Sequence, residues 1–172
     1  MTKQLIAFAA TAALIGAVVL GNYVTDRFGL IPVGFGLTAT AGIYLAGASF
    51  VLRDTLQDAA GKRVTLVIIA VAAGLSFLVA DPSIALASAA AFLLAELADL
   101  AIYTPLRRRG YIRAAIASNV VGAFVDTVVF LTIAGFSIQG AIAGQMVGKL
   151  VATAAAVVLV VLARAARRKV VA

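Results

Sequence analysis

The sequence has no cysteine and no histidine, and these two absences exclude several kinds of chemistry. Without cysteine there is no disulfide framework and no thiolate metal site. Without histidine, the commonest metal ligand and the usual proton carrier near neutral pH are also missing. Any proton transfer would therefore fall to carboxylates, and neither a metal nor a cofactor is expected.

Charged residues are scarce, at 12% of the chain against 64% hydrophobic residues, and the mean hydropathy is +1.14. A water-soluble domain cannot hide that much apolar surface. Because a membrane-spanning helix needs roughly 20 apolar residues, the 172 residues accommodate about six spans with short connections. The composition predicts an all-α integral membrane protein, a single transmembrane domain over residues 1–172.

Six apolar segments lie between charged or turn-forming breaks in the sequence. They are residues 5–23, 31–52, 64–80, 83–106, 114–136 and 138–163. Only Asp81 and Pro82 separate the third from the fourth, and only the stretch 135–140 lies between the fifth and sixth, so both pairs are predicted to be tight helical hairpins. The first segment lacks a convincing cleavage site, which favours a mature helix over a signal peptide.

The distribution of lysine and arginine predicts the orientation in the membrane. Twelve of them fall at alternate connections and at both ends of the chain: Lys3, Arg53, Lys62, Arg63, Arg107, Arg108, Arg109, Arg113, Arg164, Arg167, Arg168 and Lys169. Only Arg27 falls on the other side. Both termini are therefore predicted to be cytoplasmic, in a multi-pass protein of the plasma or inner membrane. Because these cations flank apolar runs, a nucleic-acid partner is not expected.

Four ionisable residues fall within the apolar segments, far from the predicted membrane surfaces. Glu96 and Asp99 lie roughly 16 and 12 Å from the arginines that follow their segment, counting 1.5 Å per helical residue. Asp126 and Lys149 are similarly deep. Since a charge at this depth is costly, it faces the bundle interior and indicates a functional site. Lys149 is predicted to pair with at least one of the three carboxylates.

Helical spacing aligns these residues with other polar and aromatic side chains. The stripes are Phe92, Glu96, Asp99 and Tyr103 on the fourth segment, Asn119, Gly122 and Asp126 on the fifth, and Gln145 and Lys149 on the sixth. Three carboxylates against one lysine leave excess negative charge, which favours a proton- or solute-handling role. The alternative is a buried ion pair that only fixes helix register. Gly140, Gly144 and Gly148 form a small-xxx-small series that indicates close packing.

Enzymatic function is disfavoured by the motifs. The sequence has no GxxxxGK[ST] loop for nucleotides, no HExxH zinc pair and no nucleophile elbow. An enzyme acting on lipids would also need its catalytic cluster near the interface rather than at the middle of the membrane. The sequence is therefore interpreted as a non-enzyme that handles a small polar solute.

Several longer motifs resemble those of the VUT family, the vitamin-uptake-transporter-like proteins whose best known members are queuosine-precursor transporters. The motifs are GNY at 21–23, FVLRDTLQDAAGKR at 50–63, AELADLAIYTPLRRR at 95–109, ASNVVGAFVDTVVFLTIAGF at 117–136 and GQMVGKLV at 144–151. Their order, spacing and placement on successive segments are more specific than any one motif. The chain departs from the family in being short and in lacking histidine and tryptophan, and its first and sixth segments are rich in alanine.

The resemblance implies a six-transmembrane-helix bundle similar to the substrate-binding subunits of energy-coupling-factor vitamin importers. It also implies import of 7-deazaguanines, such as 7-cyano-7-deazaguanine (preQ0) or its aminomethyl counterpart (preQ1). The family's polar positions correspond to Asn22, Asp54, Asp58, Glu96, Asp99, Asn119, Asp126 and Lys149.

Combining the resemblance with the stripes gives a predicted substrate-binding set. It comprises Asn22, Phe92, Glu96, Asp99, Tyr103, Asn119, Asp126, Gln145 and Lys149. Glu96 or Asp99 would accept hydrogen bonds from a guanine-like edge, and Lys149 or Asn119 would donate to its carbonyl. Phe92 or Tyr103 would stack on the ring, and Asp126 would pair with the lysine or carry a proton.

Three functional interpretations stay open at this point. The chain is a stand-alone transporter, or a binding subunit that docks a separate ATPase module through Ala9, Ala13 and Ala17, or a structural or pore-forming protein. Neutralising Glu96 or Asp99 would leave activity intact only in the third case. The expected partners are a 7-deazapurine solute and the lipid bilayer, with an ATPase module or a second copy of the chain as further candidates.

Overall fold

The computed structural model describes residues 2–171, apart from the side chains of residues 100, 107, 111, 112, 114–116, 160, 161 and 163–171. Within it the apolar segments form helices, and one β-hairpin interrupts them. In chain order the elements are α1 (Lys3–Phe28), β1 (Leu30–Gly34), β2 (Leu37–Thr40), α2 (Ile43–Ala60), α3 (Lys62–Ser76), α4 (Pro82–Leu106), a short 3-10 turn (Arg107–Arg109), α5 (Tyr111–Ile133) and α6 (Ile138–Val171).

Three helices are long and apolar enough to cross a membrane by length and composition. They comprise α1, α4 and, within α6, the stretch Ile138–Leu159. A shorter apolar stretch, Ala117–Ile133, lies in α5. These findings concern the described residues, and the count of six spans stays a prediction.

The second predicted segment, 31–52, is wrong in nearly its first half, because residues 31–40 belong to an antiparallel β-hairpin rather than to a helix. Leu30 pairs with Thr40 and Pro32 with Thr38. The backbone reverses at Gly34, Phe35 and Gly36, which all have positive φ. Glycine adopts that conformation without penalty, and proline restricts the preceding stretch to extended backbone. The hydropathy of this stretch is helix-like, but its Pro and Gly punctuation specifies a turn.

This correction changes the place of Arg53. The sequence predicts that Arg53 lies in a loop, but α2 begins at Ile43 and continues to Ala60. Counting 1.5 Å per residue, Arg53 lies about 10 Å before the end of the helix. Arg53 is therefore a residue of the helix bundle rather than of a connection.

The two predicted helical hairpins are present as short turns between contacting helices. Asp81 ends the first turn and caps α4, because its Oδ1 accepts a hydrogen bond from the backbone N–H of Ser83 at 2.8 Å. Hydrogen bonds from Ser83 lower the pKa of the Asp81 carboxyl, since they favour its charged form. Pro82 is the first residue of α4, where a backbone N–H would have no partner within the helix, so its lack of an N–H carries no cost.

The glycine series on α6 packs closely, as predicted, at two of its three positions. A Cβ on Gly144 would overlap the carbonyl oxygen of Thr38 in the hairpin, and one on Gly148 would lie 2.8 Å from Ile43 Cγ1 of α2. A Cβ on Gly140 would meet only Ser137 Oγ, at 3.8 Å. Gly144 therefore packs against the hairpin, whereas Gly148 packs against helix α2.

The helices form two groups that contact each other less extensively than they contact their own members. Helix α2 packs on α1 and α6, α3 packs on α1, and the hairpin packs on α6. We call these elements the four-helix group. The remaining helices, α4 and α5, pack extensively against each other, and we call them the α4–α5 pair.

Candidate functional site

A cavity of about 90 Å³ lies where the two groups of helices meet. All six helices and the hairpin contribute to its wall. The polar and aromatic side chains that line it are Thr25, Thr40, Ser49, Phe50, Arg53, Ser88, Phe92, Asp126, Phe130, Gln145 and Lys149. Since a water needs about 10–15 Å³ measured in this way, the cavity has room for several waters beside its polar groups.

Lys149 and Asp126 form an ion pair in this cavity, as the sequence predicts for the lysine. Lys149 is 4% exposed, and its Nζ donates to Asp126 Oδ2 and, at 2.8 Å, to Thr127 Oγ1. The ammonium has three donors, and these contacts use two of them. One ammonium donor and the second carboxylate oxygen are not used in these contacts, and both side chains line the cavity.

Gln145 lies one turn before Lys149 on α6 and is also buried. Its Nε2 donates to Thr40 Oγ1 at 2.8 Å, at the end of the hairpin. The hairpin is itself held on α6 by the hydrogen bond from Thr38 Oγ1 to the carbonyl of Gly140, at 3.1 Å. The hairpin therefore borders the cavity through Thr40, and Gln145 places its amide group at the cavity wall.

Arg53 and Glu96 form a second ion pair, between α2 and α4. Their side chains are 17% and 15% exposed. The guanidinium also donates from Nε at 3.0 Å and from Nη2 at 2.9 Å to Asp54 Oδ1, and it lies 5.6 Å from the centre of the Phe50 ring. A guanidinium held by two carboxylates and an aromatic face is fixed in orientation.

The second ion pair changes the charge balance expected from the sequence. Three carboxylates were expected to share one lysine, but Arg53 supplies a second cation. Asp126 and Glu96 are each neutralised by a basic partner. Asp99 is half-buried beside Gly122 of α5, at the contact between α4 and α5.

The structure brings four of the nine predicted site residues to the cavity wall: Phe92, Asp126, Gln145 and Lys149. Among the described side chains, the other five lie elsewhere. Asn22 is buried and donates to Ser76 Oγ at 2.9 Å, which links α1 to α3. Glu96 reaches the cavity only through Arg53, and Asn119 is exposed. Asp99 and Tyr103 lie on α4 between Glu96 and the C-terminal end of the helix. Direct contact between the substrate and any of these five residues stays a prediction.

Sequence reasoning missed Arg53, Phe50, Phe130 and the small hydroxyl residues of the wall. Arg53 falls outside the predicted second segment because that segment, 31–52, ends eight residues before α2 does. Phe50 and Arg53 are three residues apart, so they share a helix face. That spacing, together with the FVLRDTLQ motif, is the sequence signal that indicates Phe50 and Arg53 as site residues.

The arrangement defines a class of protein. A membrane-embedded helix bundle that encloses paired charges, amide and hydroxyl groups and aromatic rings has the features of a site for a small polar solute. The same charges without a solute would serve only to hold the helices together.

Comparison with known families identifies this class more closely. Residues 76–163, slightly more than half of the chain, match the family model described as "Putative vitamin uptake transporter". The chain therefore belongs to the vitamin uptake transporter family and is a multi-pass membrane protein. The matched region begins at the end of α3 and includes Asp126, Gln145 and Lys149. No curated protein and no solved structure matches the chain.

Proposed function

We propose that the protein imports a queuosine precursor, a 7-deazaguanine such as preQ0 or preQ1, and that the central cavity binds it. The observation that carries this proposal is the buried Lys149–Asp126 pair, which presents an ammonium donor beside a carboxylate acceptor. Family membership supports uptake of a small molecule. The choice of solute rests on the chemistry of the cavity and on the motifs of the sequence.

A guanine-like edge presents an N–H, an amino group and a carbonyl in a row. The carboxylate of Asp126 is suited to accept from the two donors, and the Lys149 ammonium is suited to donate to the carbonyl. Gln145 supplies a further amide oxygen. Adenine offers one donor and one acceptor on the corresponding edge, so it would leave a carboxylate oxygen unsatisfied.

Aromatic rings near the pair suit a flat solute. Phe50, Phe92 and Phe130 all line the cavity. Stacking on such rings contributes about 0.5–1.5 kcal/mol beyond the burial of apolar area. The cavity volume of about 90 Å³ lies below the 300–1,000 Å³ common for ligand sites, so a bicyclic solute requires its walls to move apart.

The proposed orientation follows from the charges at the two ends of the bundle. We call the end with Gly61 and Arg107–Arg109 the basic end, and the end with the hairpin and Asp81 the hairpin end. Under the positive-inside rule the basic end faces the cytoplasm, so solute enters near the hairpin and leaves at the basic end. In this proposal residues 1–172 form one transmembrane domain that catalyses no covalent reaction.

Uptake by the purified chain in liposomes tests the proposal. We expect time-dependent accumulation of labelled preQ0 that excess unlabelled preQ1 inhibits and excess adenine does not. Empty liposomes and liposomes with the Lys149→Met variant serve as controls. Binding without accumulation would identify a binding subunit that needs a separate ATPase module. Absence of both binding and accumulation would refute the choice of solute.

A further inference from the structure

The links within the four-helix group differ from those that cross to the α4–α5 pair. Within the group, the backbones approach closely, because a Cβ on Gly47 would lie 2.6 Å from Ala152 Cβ. Thr153 Oγ1 donates to the Gly47 carbonyl at 3.0 Å, and Asn22 donates to Ser76. Close backbone packing and hydrogen bonds between residues distant in sequence thus hold the four helices of this group together.

Two ion pairs link the two groups, in addition to the Thr127–Met146 contact and the packing of Phe92 on the apolar cluster of the four-helix group. Lys149 of α6 pairs with Asp126 and Thr127 of α5, and Arg53 of α2 pairs with Glu96 of α4. Among the described residues, backbone contact between α2 and α4 is at most sparse. The Arg53–Glu96 pair therefore joins two helices whose backbones are well separated, while Phe92 of α4 packs against the apolar cluster that includes Leu14 and Leu56.

The Arg53–Glu96 pair also lies at one end of the cavity. Arg53 is the cavity residue of α2 nearest to the basic end. On α4 the corresponding cavity residue is Phe92, and Glu96 lies one turn further toward the same end. The pair thus lies on the side of the cavity that faces the basic end of the bundle, where Arg107–Arg109 follow α4.

We propose that the α4–α5 pair moves as a unit against the four-helix group, and that the Arg53–Glu96 ion pair is the latch that closes the cavity at the basic end. The proposal rests on the function proposed above, since a latch has a purpose only if solute passes through the cavity. When the latch opens, both charges gain contact with water, which offsets much of the lost attraction. An ion pair can therefore hold two states close in free energy, whereas separating packed apolar surface would strongly favour one state.

Thiol labelling tests the latch without any solute. The chain has no cysteine, so Ser49→Cys places a single thiol on the cavity wall, one turn from Arg53 toward the hairpin end. A membrane-impermeant maleimide is applied to vesicles of each orientation. We expect slow labelling of Ser49→Cys alone. Adding Glu96→Gln should make labelling roughly tenfold faster from one side only, which corresponds to about 1.4 kcal/mol of closed-state stabilisation.

Two further variants serve as controls in the Ser49→Cys background. Asp58→Asn removes an exposed carboxylate of the same helix outside the Arg53–Glu96 pair, so it should leave the labelling rate unchanged. The charge swap Arg53→Glu with Glu96→Arg should restore slow labelling, and it carries the test if Glu96→Gln fails to fold.

Either of two results for Glu96→Gln would overturn the latch. One is an unchanged labelling rate, and the other is equal acceleration from both sides, which would indicate general loosening of the bundle. Fast labelling of the folded charge swap would overturn it as well. Failure of preQ0 uptake would leave these results unaffected, so the latch and the choice of solute fail separately.

Discussion

Removing the lysine of the Lys149–Asp126 pair should destabilise the protein more than removing both charges together. Lys149→Met keeps the volume of the aliphatic stem but leaves Asp126 without its cation. Breaking a buried pair in this way costs about 3–5 kcal/mol. The Asp126 side chain is 18% exposed at a cavity that can hold water, so we expect a loss near the lower limit, about 3 kcal/mol.

The double variant Asp126→Asn/Lys149→Met has no unpaired charge. We expect its free energy of unfolding to lie within about 1 kcal/mol of that of the wild type, because replacing a buried pair by neutral groups is often close to neutral. For a chain of this length, a loss of 3 kcal/mol lowers the melting temperature by about 6–12 °C. The single variants and the double variant thus form a double-mutant cycle.

Thermal unfolding of the four proteins in one detergent measures the cycle. The expected result is a melting temperature of the double variant well above that of Lys149→Met. If the effects of the two single substitutions simply add, within about 0.5 kcal/mol, the pair is not coupled and the geometry described for it is incorrect.

Two other predictions concern packing and topology. Gly144→Ala should destabilise by about 1–3 kcal/mol, because its Cβ overlaps the backbone of Thr38, whereas Gly140→Ala has space and should be nearly neutral in the same unfolding assay. Equal effects of the two substitutions would refute the close approach of the hairpin to α6. Reporter fusions at Ala172 and near Asp81 should report opposite sides of the membrane, with Ala172 cytoplasmic. The same side for both fusions would exclude the proposed orientation.

Hydropathy predicted the helices whose sequences are uniformly apolar. The fourth segment, 83–106, corresponds to α4 almost residue for residue, and the fifth and sixth begin within three residues of α5 and α6. Hydropathy does not predict the hairpin, because apolar residues such as Ile31, Val33 and Leu37 give the same hydropathy in a strand as in a helix. In that stretch the backbone preferences of Pro32, Gly34 and Gly36 outweigh hydropathy.

The candidate site was predicted only in part, for a related reason. Depth along a helix can be counted from the sequence, so Asp126 and Lys149 were placed together correctly. The direction in which each stripe faces depends on how the helices pack, which one sequence does not specify. The sequence therefore leaves Glu96, Asp99 and Asp126 as alternative partners of Lys149, and in the structure Asp126 is the partner while Glu96 pairs with Arg53.

Equilibrium binding of preQ0 to the purified protein tests most directly whether the Lys149–Asp126 pair recognises a 7-deazaguanine. We predict that Asp126→Asn weakens binding at least tenfold, roughly the cost of leaving one buried polar group unsatisfied. Adenine should not compete in the wild type, and Gln57→Ala, at an exposed position outside the cavity, should bind preQ0 more tightly than Asp126→Asn does. Unchanged affinity of Asp126→Asn for preQ0, or competition by adenine equal to that by preQ1, would contradict the proposed recognition.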